Sequence, residues 1–311
     1  AQHDAATGVH RPIQADVILL EPIDASASDS VLRLQLDLVN LTTEQMDRLA
    51  ANTGEAADIN PERVLITFSH SHASGFYAPN RRNLPGGDLI DPYLDDLNRT
   101  AARLAGEALE NLSESTITYA FARCDMARNR DYRDEQVGIY ATGYNPDRTG
   151  DDTLLIGRVT GSDEEIRLII VSYGCHPTTL AWDNTLISPD YIGALREVIE
   201  TDTNAPCCFF QAPSGDLGPR DGFVGDLAVA DRNGKQVGHA ALSALYGMGA
   251  PRHDFAYAGP VVSGATIGTW AWDGHSEDRI NDTRLFQGGT FDVELNLIDL
   301  PTQESLQKDI A

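Results

Sequence analysis

The chain has 311 residues, 41% of them hydrophobic and 23% charged, which is long enough to bury a substantial core. Lys and Arg number 23 against 47 Asp and Glu, a net charge of -24 that excludes nucleic acid as a partner and disfavours docking on an anionic membrane by charge. No apolar run reaches the roughly 18 residues of a spanning helix, so no transmembrane segment is expected.

The acidity has a particular make-up: two lysines, 21 arginines, and 32 Asp against 15 Glu. High negative charge keeps a protein soluble at the cost of self-repulsion, as in halophiles, so a salt-rich host or compartment is expected. An unfolding midpoint that rises in molar KCl is the expected result. A flat response would leave an ordinary acidic secreted protein. The first twenty residues lack a basic segment followed by an apolar one, so no signal peptide is visible. The chain does not begin with Met, and its true start is expected upstream.

In chain order, Ala15–Leu20 and Val31–Leu41 read as strands, the second with period-two alternation. Thr42 is the expected cap of a short helix reaching about Asn52. Val64–Phe68 is a short apolar run between turn residues, hence a buried strand. Tyr93–Leu112 carries an amphipathic helical period. Thr116–Ala122 is strand-like, and the polar stretch Asp125–Gly150 is too long for an idle connection. Leu154–Val159 and Ile166–Ser172 form strands around a Gly161-Ser162-Asp163 turn. Ser188, Pro189 and Asp190 open a helix, with Ser188 as the expected cap. Cys207–Gln211 is a buried strand, and Asp231–Leu245 a helix. The last sixty residues read as irregular strands, including Phe291–Ile298. Alternating strands and helices with no linker predict one layered α/β domain over 1–311. Its mixed β-sheet is flanked by helices, with active-site loops at the carboxyl ends of strands.

Cys124, Cys175, Cys207 and Cys208 have neither structural-zinc spacing nor the density of a disulfide scaffold, and they leave the redox compartment open. His3, His10, His239, His253 and His275 have no companion motif and are read as surface or core residues. Trp270 and Trp272 are expected in packing, and Asp151-Asp152 in a solvated turn.

Three polar clusters each follow a buried strand: residues 69–75 (SHSHASG), 174–179 (GCHPTT) and 211–219 (QAPSGDLGP). In extended chain, side chains at i and i+2 share a side, so His70 and His72 should face one point. His176 at another strand end then completes a plausible metal set, imidazole being suited to zinc at about 2.0–2.1 Å. The bland reading is a hydrogen-bonded core histidine. Asp216 either orients a ligand histidine or a metal-activated water, or simply forms a turn. Ser214 lacks the G-x-S-x-G elbow of a serine nucleophile. An arginine of Arg128, Arg130 or Arg133 could hold a substrate carbonyl or developing oxyanion, or pair with the acidic surface.

These motifs resemble, in order, those of the neutral, non-lysosomal ceramidases and their shorter bacterial relatives. The resemblance runs from about Gly8 to Asp221. It rests on 69–75 after a buried strand, Asn129-Arg130 with Asn145-Pro146 beyond, His176-Pro177-Thr178, Ser188-Pro189-Asp190, and Gly215-Asp216-Leu217-Gly218-Pro219. It implies a Zn2+-dependent amidohydrolase that cleaves the N-acyl amide of ceramide-like lipids to a fatty acid and a sphingoid base. It further implies His70 and His176 as zinc ligands, His72 as a polarising or proton-handling group beside the metal, and Arg130 against the scissile amide. Secretion or a cell-surface location is implied as well. Two departures stand out. Gly218 occupies the position of the family's proposed serine, so water activated by the metal, with Asp216 to orient it, is the expected nucleophile. No P-G-E motif is present to supply a glutamate ligand, and the segment with the family's tyrosine ligand is not found either. The chain is therefore expected to be incomplete at both ends. The alternatives are a metal-dependent hydrolase of another amide or ester, and an inactive remnant or binding module. Oligomeric state is not addressed by these residues.

Overall fold

In the computed structural model, residues 6–23, 29–284, 293–294 and 302 are described. The elements, in chain order, are β1 (Gly8–Val9), β2 (Ala15–Leu20), β3 (Val31–Leu36), α1 (Thr43–Ala56), β4 (Val64–Phe68) and α2 (Ile90–Glu110). Next come β5 (Ser115–Arg123), β6 (Ala127–Asn129), β7 (Asp131–Asp134), β8 (Ile139–Thr142), β9 (Thr153–Gly161) and β10 (Ile166–Tyr173). They are followed by β11 (Leu186–Ile187), α3 (Tyr191–Thr203), β12 (Cys207–Gln211), β13 (Leu217–Pro219), α4 (Leu227–Gly247), β14 (His253–Ser263), β15 (Ala265–Gly274) and α5 (Glu277–Thr283). The expected α/β architecture with helices flanking mixed sheets is present, but the strands are divided among several sheets.

Two of these sheets carry the cores. The three-stranded sheet β2-β3-β4 is antiparallel at β2/β3 and parallel at β3/β4. Leu32, Leu34 and Leu36 of β3 point to one face and pack with Leu49 of α1 and Leu94, Leu97 and Ala101 of α2. The four-stranded sheet runs β12-β10-β9-β5, with β10 and β12 parallel and the rest antiparallel. Leu154, Ile156, Ile169, Val171 and Phe209 pack there with Tyr191, Leu195 and Ile199 of α3 and Val237 and Leu242 of α4. α3 and α4 approach so closely that a Cβ at Gly234 would lie 2.0 Å from the Tyr191 carbonyl oxygen. The sheets adjoin along β3, β4 and β12, where the Arg33 guanidinium sits 4.1 Å over the Phe210 ring.

Several element boundaries depart from the sequence reading. The strand expected over Val31–Leu41 ends at Leu36; the Asp37 N–H still donates to the Gln14 carbonyl at 3.0 Å, while its carboxylate takes the Arg196 guanidinium. The first helix caps at Thr42 as expected, in a capping box with Gln45, but runs on to Ala56. The second starts at Ile90, since Pro92 lies in the first turn, where no intrahelical N–H is needed. The cap of α3 is Asp190 and not Ser188: the Ser188 hydroxyl instead accepts the Asp190 N–H at 3.0 Å. Asp226 caps α4 and starts it before Asp231. The long polar stretch 125–150 contains β6, β7 and β8. Asp151 does form a turn, accepting the Thr153 N–H at 2.9 Å.

Trp270 and Trp272 are not core packing. They stand on the β14/β15 hairpin, 58% and 47% exposed, opposite Tyr257 and Phe255 with ring centroids 5.6 and 5.3 Å apart. The strand expected at Phe291–Ile298 lies outside the described residues except for Val293 and Glu294, which are in neither helix nor strand. All four cysteines are buried and unbridged. Among the described residues no helix is long and apolar enough to cross a membrane.

Candidate metal centre

Three strand ends bring the polar clusters together, as expected from the positions of β4, β10 and β12. The ring centroids of His70 and His176 are 4.7 Å apart, those of His70 and His72 5.1 Å, and those of His72 and His176 5.7 Å. One nitrogen from each of the three lies within 4.8 Å of the others, a spacing at which one metal ion could be held.

The reason His70 and His72 converge differs from the expected one. The segment is not extended. His70 has φ +63°, in the left-handed region, and His72 opens a short 3-10 turn with Ala73 and Ser74. A non-glycine residue persists there only where its surroundings over-determine it. The His70 N–H donates to the Leu38 carbonyl at 3.0 Å, and its Nδ1 lies 3.1 Å from the Val39 carbonyl. His176 is held likewise: its N–H donates to the Leu217 carbonyl at 3.2 Å and its Nδ1 lies 2.8 Å from the Ser214 carbonyl. A ring whose Nδ1–H is taken by a carbonyl presents Nε2 as the free lone pair, the arrangement typical of metal-ligating histidine. His72 Nε2 is buried and has no hydrogen-bond partner. Burial, with the neighbouring His70, His176 and Arg130, lowers the His72 pKa to about 4, and burial also lowers that of His176. Both are therefore neutral near pH 7, the form a metal requires. A buried orphan nitrogen beside two carbonyl-oriented imidazoles fits a divalent ion with nitrogen preference.

Arg130 and Asp216 meet through a short strand pair. β6 and β13 are antiparallel with Leu217 opposite Asn129, so Arg130 N–H donates to the Asp216 carbonyl at 2.9 Å and Arg130 Nε to the Gly215 carbonyl at 3.0 Å. The Arg130 charge contributes to lowering both His72 and His176. Arg128 and Arg133, by contrast, pair with Asp125 and Glu135 on the surface, which is the bland fate considered for them. The exposed Asp216 carboxylate accepts from Asn129 Nδ2 at 3.3 Å. The atom that orients His176 is the Ser214 carbonyl oxygen. Ser214 itself is buried, with its hydroxyl taken by Gln211 Nε2 at 2.7 Å. The Val39 and Ser214 carbonyls had no sequence signal, being backbone atoms of ordinary residues.

Gly218 lies in β13 beside Arg130. A Cβ there would meet Arg130 Cδ at 3.5 Å and Cβ at 3.6 Å, ordinary contacts. Gly218→Ser is therefore expected to fold with an unfolding free energy, read by urea titration, within about 1 kcal/mol of the parent's, a hydroxyl having been added beside the arginine. A larger loss would show that glycine is required there by the backbone.

No protein-family model matches the chain, and no curated protein sequence matches it. Among solved structures, the fold is that of neutral ceramidases. The chain is similar to the neutral ceramidase from Pseudomonas aeruginosa, with a TM-score of 0.62 and 18% identity over 84% of this chain and 45% of that one. It is also similar to a ceramidase complexed with C2, with a TM-score of 0.64 and 16% identity over 98% of this chain and 53% of that one. The chain thus spans about half the length of the solved structures it matches. What these likenesses share with the chain is the fold, in agreement with the resemblance read from its motifs.

Proposed function

We propose that this chain carries the metal-holding part of a zinc-dependent amidohydrolase acting on N-acyl lipid amides of the ceramide type. The observation that carries the reading is the group of three imidazoles, drawn from two strand ends, with one nitrogen each inside 4.8 Å. Catalytic zinc is typically held by three protein ligands. His70 and His176 would hold the ion; His72, given a proton-handling part by the sequence reading, supplies a third nitrogen beside them. When bound, such an ion polarises a carbonyl and eases deprotonation of water near neutral pH.

The chain's own residues supply the rest. The Val39 and Ser214 carbonyls hold two rings in one tautomer. Arg130, tethered to Gly215, would set its positive charge against the negative charge that develops on an amide oxygen. Asp216 would orient the attacking water; its exposed carboxylate is steadied by Asn129. The lipid amide is favoured as substrate because solved structures of the same fold are ceramidases.

The test is metal analysis followed by turnover. The expected result is near one zinc per chain after dialysis, and hydrolysis of a fluorescent N-acylsphingosine in preference to simple acyl amides and esters. Protein that takes up no zinc overturns the enzyme reading. Zinc-loaded protein that prefers a simple amide or ester overturns only the lipid assignment.

A further inference from the structure

We propose that His10 is a positioning residue for the imidazole cluster, acting through Ser188. The inference rests on the metal-site reading above and adds a residue that no motif marked. The parallel pair β1/β11 brings the N-terminal segment alongside residues 186–187, and His10 N–H closes it by donating to the Ile187 carbonyl at 2.8 Å. His10 Nδ1 then lies 3.0 Å from the Ser188 hydroxyl. The other side of Ser188 faces the candidate metal loop. Its carbonyl accepts the Ser71 hydroxyl at 3.0 Å, and its N–H donates to the Ala73 carbonyl at 3.1 Å. Ser71 and Ala73 are the two neighbours of His72, so a single buried serine holds the Ser71 side chain and the Ala73 backbone on either side of that imidazole.

His10 is itself anchored. Its Nε2 faces Arg11 Nη1 at 2.5 Å and Asp231 at 3.2 Å, and Arg11 binds both Asp231 and Glu197. Asp231, His10 and Ser188 thus line up like a nucleophilic triad, but Ser188 has no exposed surface and its hydroxyl already accepts the Asp190 N–H. The hydroxyl is a strut and cannot reach a substrate. Such a strut has a clear task here, because the left-handed His70 backbone and the short turn after it need bonds from outside to persist. Outer partners of metal-binding histidines typically govern metal affinity by about 10–100-fold.

The experiment compares the parent with His10→Ala, His10→Asn and His10→Gln. An asparagine amide can occupy the place of Nδ1 and keep the Ser188 bond, whereas glutamine reaches towards the place of Nε2. The first readout is amide hydrogen exchange of the segment 69–76 in metal-free protein, measured by mass spectrometry against the strands β9 and β10. His10→Ala is expected to speed exchange there about tenfold with β9 and β10 unchanged, His10→Asn to restore it, and His10→Gln not to. The second is zinc affinity by competition with a chromogenic chelator, with a tenfold loss in His10→Ala and recovery in His10→Asn. Unchanged exchange in His10→Ala, or equal rescue by Gln and Asn, overturns the proposal. A parent that binds no zinc but shows the exchange pattern overturns the metal reading and leaves the strut standing.

Discussion

Arg196→Ala is expected to destabilise the fold by about 3–5 kcal/mol, read as a lowered urea midpoint, because it strands a buried carboxylate. Arg196 lies in α3 and Asp37 just past β3, and both side chains are almost wholly buried. The guanidinium grips the carboxylate with two bonds, Nη1 to Oδ2 at 2.6 Å and Nη2 to Oδ1 at 3.1 Å. Burial works against the Arg196 charge, but Asp37 outweighs it and the pKa is raised. The pair ties the helix of one core to the sheet of the other. Replacing both members with apolar residues, Arg196→Met with Asp37→Leu, is expected to cost much less than the single change. If Arg196→Ala costs no more than a surface pair, under about 1 kcal/mol, the pair is not the tie described. Asp16, 3.6 Å from Arg196, gives a second readout. Burial raises its pKa from 3.8 to about 6 against the pull of Arg196. A raised folded-state value means stability is fully present below pH 3.8 and declines as pH rises through about 6. Without Arg196 the value should climb further, and the decline should extend to higher pH.

The parts of this fold that were legible in the sequence are those whose signal is local. Ala15–Leu20, Val64–Phe68 and Cys207–Gln211 are short apolar runs with turn residues at their ends, and the Thr42 cap is a reciprocal bond between near neighbours. Asp37 carries no local mark of its ion pair, because its partner lies 159 residues away. Ser-Pro-Asp has the composition of a helix start capped at Ser188. Only the geometry, with Asp190 at φ +56° and its carboxylate on the Tyr191 N–H, selects the next acid instead. At the site, the convergence of His70, His72 and His176 was expected, but on a false premise. Period-two alternation presumes an extended segment, whereas this one is kinked at His70, and the long-range bonds that hold the kink leave no mark in a seven-residue motif. His10 carries no motif for the same reason: its companion is Ser188, 178 residues on.

His70→Ala and His176→Ala should each abolish specific zinc uptake, and with it more than about a hundredfold of any turnover, since loss of an outer partner alone already costs about 10–100-fold in affinity or activity. The effect can be read without a substrate. An ion that binds the folded chain alone stabilises it by about 2.7 kcal/mol when present at a hundred times its dissociation constant. The parent's urea midpoint should therefore rise with added zinc, and those of the two variants should not. The metal-free proteins should differ far less, because neither ring's removal leaves a buried charge. A comparable zinc response in parent and variants would place the ion elsewhere and remove the basis for the hydrolase reading. His72→Ala divides the two roles considered for that residue. If it is a ligand, the zinc increment shrinks; if it only handles protons, the increment stays and turnover falls. Acid supplies the remaining check. Protons compete for the same lone pairs, and burial eases that competition at two of the rings by lowering the pKa of His72 to about 4 and that of His176 below its ordinary value. The zinc affinity of the parent should therefore fall as acid is added, and an affinity that does not change with pH would place the ion away from these imidazoles.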